Sequence, residues 1–299
     1  MDSQTQETTM RMLSLALAGS AAALSGCGTG SGGAIAPAGA GRAAVYLTDA
    51  PFPFAGVARV DMHVVRIELS PQVDTAAAPA AWITVATPDR TFNLLDLQNG
   101  ATELLGEAQI PAGSYAAVRV TIDPARSGMT GASGGAIVAV AGPVGPGIDW
   151  GTAVQAPVLY AQVEEPMSVD EQGQDIVIDF DVGRSFQYNG GGRFTFVPWL
   201  RAITRAGSGS VTGVVRRLDT GAAIADATVS LTVASDTALA LYVPIATSRT
   251  GSDGRFAASF LRPGRYDVVV TDPGSGRDSE AKRVEVRAGG SADAGIFGF

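Results

Sequence analysis

Apolar and polar residues alternate over short stretches along most of the chain, and turn-forming residues separate these stretches. In residues 57–69, for example, Val60 and Met62 alternate with Asp61 and His63. A period of two is typical of a strand that buries one face. Several short strands separated by turns predict a β-sandwich or a β-barrel. The other runs of this kind are residues 43–48, 82–85, 92–97, 115–122, 137–140, 162–169, 175–182 and 193–203.

One segment departs from this strand pattern. Residues 101–108 follow an Asn-Gly turn at Asn99 and Gly100, and we interpret them as one or two helical turns. Elsewhere Gly, Ala, Val and Thr dominate between the turns, and long helix-forming runs of Leu, Glu and Lys are missing. The sequence therefore predicts an all-β fold.

Two stretches rich in Gly, Ser and Ala interrupt the series of strands. We interpret residues 27–41 as a flexible tether and residues 206–210 as a linker. They divide the chain into two domains in tandem, residues 42–205 and residues 211–299, each predicted to be β-sandwich-like. A length of 299 residues fits about two domains of roughly 150 residues each.

The N-terminus has the pattern of an export signal. Residues 12–24 are apolar, and this length is too short for a membrane span, which takes about 20 residues. It is typical of the core of a signal peptide. The run ends in Leu24, Ser25, Gly26 and Cys27, an order that resembles the bacterial lipobox.

The resemblance to the lipobox implies that residues 1–26 are a cleaved signal peptide and that Cys27 carries the lipid anchor. A thiolate is the nucleophile needed for this alkylation, and several acyl chains give stable membrane attachment. We therefore expect a location in the cell envelope, and Gly28 implies the outer membrane if the cell is Gram-negative. Translation from Met10 instead of Met1 would give a cleaner signal, without the preceding acidic residues.

Charge and cysteine content exclude some classes of function. The formal net charge is −8, and the basic residues are scattered along the chain, with no run longer than the pairs at 216–217 and 282–283. Nucleic-acid binding usually needs a clustered basic face, so we predict no nucleic-acid partner. Cys27 is the only cysteine, which excludes a disulfide within the chain and a metal site built from several cysteines.

Motifs of the first domain occur in the order found in a bacterial family of unknown function that is common in envelope lipoproteins. They are residues 47–51 (LTDAP), 57–69, Trp82, 93–97 (NLLDL), 111–115 (PAGSY), 178–182 (IDFDV), 185–186 (SF) and 196–198 (FVP). On these residues the domain resembles family 4382 of the domains of unknown function. The resemblance implies an all-β fold and an extracytoplasmic location, and it implies no known activity.

The second domain resembles the carboxypeptidase regulatory-like domain, a small transthyretin-like sandwich. The matching motifs are residues 211–215 (VTGVV), 226–229 (DATV), 252–256 (SDGRF) and 261–268 (LRPGRYDV). Asp253-Gly254 suits a tight hairpin turn, Pro263-Gly264 suits a turn before a strand, and Gly213 allows close backbone approach. These residues build a fold, and the resemblance implies no peptidase chemistry.

Acidic and aromatic residues supply the candidate binding chemistry. We interpret Asp179 and Asp181 as two carboxylates on one strand face, with a solvated strand edge or turn as the preferred interpretation. The alternatives are a calcium site and a glycosidase acid/base pair. Asp49 is interpreted as a turn or cap residue that binds backbone amides, with a ligand contact as the alternative. Phe52 and Phe54 lie among prolines in a predicted loop and are candidate ligand-binding residues.

A motif associated with catalysis lacks its required context. Gly131–Gly135 reads GASGG and matches a nucleophile elbow, which needs an Asp and a His after the serine. The only histidine, His63, precedes Ser133, so a loop is the preferred interpretation. We predict no catalytic residue and no cofactor.

The sequence thus predicts a non-enzymatic envelope lipoprotein that acts as a binding or scaffold module. Its expected partners are the membrane, through the lipid, and a polysaccharide or another envelope protein. Two alternatives remain open: a carboxylate-dependent glycoside hydrolase, and a calcium-dependent adhesion-like module.

Overall fold

The computed structural model describes residues 39–50, 56–73, 80–137, 147–154, 157–234 and 244–299. The lipobox residues Leu24, Ser25, Gly26 and Cys27 lie outside the described residues, as do Phe52 and Phe54, so the roles assigned to them stay predictions. Two hydrophobic cores are present, one in residues 39–205 and one in residues 209–299. These two parts are called the first module and the second module below.

Strands make up most of both modules. In the first module they are β1 (Ala40–Asp49), β2 (Val57–Ser70), β3 (Ile83–Ala86), β4 (Arg90–Asn93), β5 (Glu103–Pro111), β6 (Gly113–Tyr115), β7 (Ala117–Ile122), β8 (Gly128–Gly131), β9 (Ala136–Ile137), β10 (Gly147–Asp149), β11 (Val158–Ala161), β12 (Met167–Val169), β13 (Gln174–Phe180), β14 (Phe186–Gly190), β15 (Arg193–Phe196) and β16 (Leu200–Thr204). Short helical turns are α1 (Val182–Ser185) and the 3-10 segments Leu94–Leu97, Pro124–Arg126 and Gly151–Val154. The second module contains β17 (Gly209–Arg216), β18 (Thr228–Val233), β19 (Ala246–Arg249), β20 (Arg255–Leu261), β21 (Gly264–Thr271), β22 (Lys282–Val286) and β23 (Ser291–Gly298).

The larger sheets of the first module enclose its core. One has the strand order β16-β13-β1-β5, with β1 and β13 parallel, and the other has the order β11-β7-β2-β8-β9, with β3 and β4 also pairing with β2. Val60 and Met62 are fully buried, as the alternation in residues 57–69 predicts. The prediction of an all-β fold is therefore confirmed.

The prediction of helical turns at residues 101–108 is wrong. Residues Glu103–Pro111 form β5, which pairs antiparallel with β1 along its length. The free edge of β1 offers β5 a ladder of backbone hydrogen bonds, and this tertiary pairing overrides local helix preference. The register of this pairing shifts between Val45 and Tyr46. Gly106 lies opposite the shift with a φ of 154°, and a Cβ added to it would lie close to Ala86.

A strand begins within each of the two glycine-rich boundary segments. β1 starts at Ala40, inside the predicted tether, and β17 starts at Gly209, inside the predicted linker. An added Cβ at Gly41 would stand 1.9 Å from the carbonyl oxygen of Asp170. Glycine is required there for close backbone approach, a role that composition does not distinguish from chain flexibility.

The second module is a two-sheet sandwich, in which Asp253-Gly254 forms a tight turn as predicted but joins strands of different sheets instead of closing a hairpin. The sheets have the orders β20-β17-β23 and β19-β18-β21-β22. Gly254 adopts a φ of 76° in the turn before β20, and the amide of Arg255 donates to Asp253 Oδ1 at 2.9 Å. A Cβ at Gly213 would lie 2.6 Å from the ring of Phe256, so the close approach is confirmed.

The two modules contact each other directly. Asn99 Oδ1 accepts hydrogen bonds from Ser248 Oγ at 3.0 Å and from the amide of Arg249 at 3.2 Å. At a second point of contact, the guanidinium of Arg262 pairs with Glu164 and Glu165. Ala38–Phe299 accordingly form one compact unit.

Candidate functional site

Three carboxylates meet where β1 and β13 end. Because these strands are parallel, with Thr48 opposite Asp179 and Asp49 opposite Phe180, their carboxyl ends lie side by side. Asp49, Asp179 and Asp181 are 4%, 6% and 6% exposed. Together with Arg201 and residues of β19 and β20 they line a cavity of about 20 Å³, called the acid cavity below.

Each carboxylate of the acid cavity already has protein partners. Arg201 Nε donates to Asp179 Oδ2 at 2.7 Å. Asp181 caps α1, since its Oδ1 accepts from the amide of Arg184 at 2.9 Å. Asp49 Oδ1 accepts from the amide of Val182 at 2.9 Å. The interpretation of Asp49 as a residue that binds backbone amides agrees with this geometry, although the amide belongs to a helix 133 positions away along the chain.

The picture of Asp179 and Asp181 as a solvated pair on one strand face is wrong. β13 ends at Phe180, so Asp181 lies beyond the strand and its side chain turns to the helix that follows. Asp179 faces β16 through Arg201, its cross-strand neighbour. Among the residues that the structure describes, no group of three or more His, Cys, Asp or Glu side chains could hold a metal ion.

Burial dominates the electrostatics of the acid cavity. It raises the pKa of Asp49 well above its usual range, and the nearby Asp179 and Asp181 raise this pKa further. It also raises the pKa of Asp181 to about 6, while the amide of Arg184 acts in the opposite direction. The protonated forms of Asp49 and Asp181 are therefore favoured at mildly acidic pH.

Asp181→Asn is expected to flatten the pH dependence of stability between about pH 4 and pH 7. The pKa of Asp181 is about 6 in the folded chain and about 4 in an unfolded chain. The stabilisation from the bound proton is present below the lower value and is lost as the pH rises through 6. Two pKa units correspond to about 3 kcal/mol, an order-of-magnitude figure. Asn keeps the N-cap hydrogen bond, so the fold should survive the change.

Denaturant unfolding of the full chain over this pH range measures the difference between variant and wild type. That difference is needed because other carboxylates, such as Asp89 and Asp267, have lowered pKa values and act in the opposite direction. Asp253→Asn is the matched control, since Asp253 also accepts from a backbone amide but is exposed. Parallel profiles for wild type and Asp181→Asn would contradict the prediction.

Other polar and aromatic residues are held by contacts within the fold. His63 is buried, with Nδ1 2.9 Å from Thr91 Oγ1 and Nε2 3.1 Å from Asp89 Oδ1. Trp150 packs in the core at 4.9 Å from the ring of Phe196. The Gly131–Gly135 segment is the turn between β8 and β9, closed by a hydrogen bond between those two glycines at 2.8 Å. It is a loop, as predicted, and not a nucleophile elbow.

A larger groove lies between the modules. Its volume is about 280 Å³, and it runs along β16 between the segment that precedes β12 and the turn at Arg262 and Pro263. No sequence pattern predicts this groove, because its walls come from segments distant in the chain that meet only where the modules contact each other. Among the described residues, no helix is long and apolar enough to cross a membrane.

The fold and the site define a class of protein: two β-sandwich-like modules in contact, with acidic side chains held by hydrogen bonds within the protein. Residues 40–198 match the model of the domain of unknown function DUF4382, and the chain belongs to this family. Residues 210–296 match the carboxypeptidase regulatory-like domain. Both resemblances inferred from sequence motifs are confirmed.

Solved structures with similarity to the chain are distant. The Bacillus anthracis TIE protein is 10% identical with a TM-score of 0.25, and the match covers 87% of this chain and 34% of that one. A variant of the shaft pilin SpaA from Lactobacillus rhamnosus GG is 10% identical with a TM-score of 0.25, covering 87% and 98%. The minor pilin of Streptococcus agalactiae is 11% identical with a TM-score of 0.21, covering 85% and 95%. The chain thus spans about a third of the TIE protein. No curated protein matches. Scores this low carry no argument about function.

Proposed function

We propose that the chain is a non-enzymatic lipoprotein of the cell envelope that acts as a binding or scaffold module. Export and anchoring rest on the signal-like residues 1–26 and on Cys27 within its lipobox-like sequence. In a Gram-negative cell the outer membrane is the favoured location. The partner in this proposal is a polysaccharide or another envelope protein.

The size of the acid cavity carries the non-enzymatic part of the proposal. The cavity measures about 20 Å³, whereas small-molecule sites occupy about 300–1,000 Å³. A space of this size holds about one water molecule. A glycosidase needs two carboxyl groups on either side of a bound sugar, and a sugar has no room between these acids. Asp179 is also neutralised by Arg201 at 2.7 Å.

The contacts between the modules support a scaffold role. Hydrogen bonds of Asn99 and ion pairs of Arg262 hold the modules at two separate points. Arg205 adds a third contact, since its guanidinium lies 4.6 Å from the ring centre of Tyr46 and 5.5 Å from that of Phe260. A pair of modules fixed in this way presents its surfaces in a constant relative orientation.

A binding assay that also detects turnover tests this proposal. The full chain, purified with its lipid in detergent micelles, is incubated with envelope polysaccharides, and in parallel it is crosslinked to its neighbours in intact cells. We expect saturable association with one of the two partner classes and no new reducing ends on any bound polysaccharide. Asp181→Asn should bind as the wild type does.

Two results would overturn the proposal. One is the appearance of new reducing ends that is lost in Asp181→Asn, which would identify a carboxylate-dependent hydrolase. The other is a folded, membrane-attached chain that associates with neither partner class. The second result would remove the binding role and leave only the anchoring prediction.

A further inference from the structure

We propose that the groove between the modules binds a short extended segment of a partner polypeptide, which pairs with the open edge of β16. This inference rests on the proposed binding function and names its partner class as a polypeptide. The groove is lined by residues of both modules, among them Gln162, Met167, Ala202, Thr204 and Arg262.

β16 is the edge strand of its sheet, and β13 is the one strand with which it forms a ladder in the described part of the chain. Just before the strand, the carbonyl of Trp199 accepts a hydrogen bond from the amide of Asp181 at 3.2 Å. Just after it, the amide of Arg205 donates to the carbonyl of Asp175 at 2.8 Å, so both residues bond to the β13 side. Backbone groups alternate in direction along a strand. The N–H and C=O groups of Leu200, Ala202 and Thr204 therefore point away from β13.

On the side of β16 that faces away from β13, Gln162 pairs with the first residues of the strand, and the chain then turns away from it. The amide of Gln162 donates to the carbonyl of Leu200 at 2.8 Å, and the amide of Ala202 donates to the carbonyl of Gln162 at 2.9 Å. The chain then departs through Glu164, Glu165 and Pro166, which form the groove wall. Within the part of the chain that the structure describes, the carbonyl of Ala202 and the amide of Thr204 have no hydrogen-bond partner.

These two groups point into the groove, where an added strand would continue the pairing begun by Gln162. Strand addition gives affinity through backbone hydrogen bonds and selectivity through alternate side chains. A volume of about 280 Å³ suits two or three residues of an extended chain. Apolar side chains of the partner would contact Met167, Ile203 and Pro263.

The lining favours a peptide over a sugar. Among the described residues that line the groove there is no Phe, Tyr or Trp, and sugar sites typically use an aromatic ring as a stacking surface. The charged lining residues are Glu164, Glu165, Arg201 and Arg262, and Arg201 is already paired with Asp179. Two carboxylates thus face one remaining guanidinium, and a basic side chain on the peptide complements them.

The probe is an acetylated, fluorescein-labelled hexapeptide, Arg-Val-Thr-Val-Thr-Val, titrated against the full chain in detergent micelles by fluorescence anisotropy. We expect a Kd of about 0.1 mM, typical of a short segment held by few hydrogen bonds. N-methylation of alternate peptide residues should weaken binding about tenfold by removing backbone donors, and Glu in place of Arg should weaken it several-fold. Hydrogen exchange at Thr204 should slow when the peptide binds.

Thr204→Pro tests the edge from the protein side. Proline removes the N–H that points into the groove and leaves the bonds to β13 intact, which is the position at which a strand tolerates proline. It should raise the Kd about tenfold. The matched control is Thr204→Val, which removes only the hydroxyl that binds the amide of Gly207 and keeps the backbone donor. If Thr204→Pro does not fold, the N-methylated peptide remains an independent test.

Three outcomes would overturn this inference. They are no peptide binding at 1 mM, equal binding of the N-methylated peptide, and displacement of the peptide by an envelope polysaccharide. The last outcome would place a sugar in the groove and leave the proposed binding function intact. Failure of the proposed function is a separate observation, made with the polysaccharide and crosslinking assays.

Discussion

Gly41→Ala should lower the free energy of unfolding of the full chain by about 3 kcal/mol or more, since overpacking against backbone costs this much when neither side can move aside. The new Cβ would stand 1.9 Å from the carbonyl oxygen of Asp170, 2.8 Å from its carbonyl carbon and 2.9 Å from Val169 Cγ1. Relief of this contact requires β1 to separate from the turn between β12 and β13. Denaturant unfolding followed by tryptophan fluorescence measures the loss.

Gly113→Ala is the matched control for this prediction. Gly113 also lies in a strand, and an added Cβ there meets no atom within 4 Å. Its effect should stay within about 0.5 kcal/mol. Equal stabilities of the two variants would contradict the close packing at Gly41, and residues 40–41 would then belong to the tether as their composition suggests.

Cys27→Ser should move the full chain from the membrane fraction to the soluble fraction almost completely. A hydroxyl does not replace a thiolate as the nucleophile for lipid attachment, and the remaining chain would lose all its acyl groups. A single acyl chain gives only marginal binding, so removal of every chain leaves no stable attachment. Fractionation of cells fed with a labelled fatty acid measures both the location and the lipid.

The control for the anchor experiment is Ser31→Ala, a change of similar size in the predicted tether. This variant should remain labelled and in the membrane fraction. A Cys27→Ser protein that still sediments with membranes and still carries label would refute lipidation at Cys27. Unlabelled protein that still sediments would instead indicate a membrane-bound partner.

Strand periodicity and turn chemistry predicted much of the fold. The alternation around Met62 depends only on which face a strand buries, and the Asp253-Gly254 turn depends on the backbone of two residues. Such local rules hold without knowledge of the partner strand. Residues 101–108 were mispredicted because pairing of β5 with β1 decides their conformation, and that pairing joins distant parts of the chain.

The candidate site was predictable in its residues but not in its environment. Asp49, Asp179 and Asp181 were all singled out from the sequence, yet their burial depends on the parallel pairing of β1 with β13 and on the covering strands β19 and β20. The groove along β16 escaped prediction for a related reason. The residue types in a strand do not show whether its backbone carbonyls and amides are paired, because nearly every residue carries the same backbone groups.

The parallel pairing of β1 with β13 also has a consequence for export. Residue 43 pairs with residue 174, so residue 43 has to wait for a partner that lies 131 positions further along the chain. On the export route that we propose, the N-terminus crosses the membrane first, so β1 is already outside while β13, its parallel neighbour, has still to cross. Closure of so long a loop is slow. If the chain is exported as we propose, chaperones that bind extended segments and proteases that cut them should therefore act on it during its passage rather than afterwards.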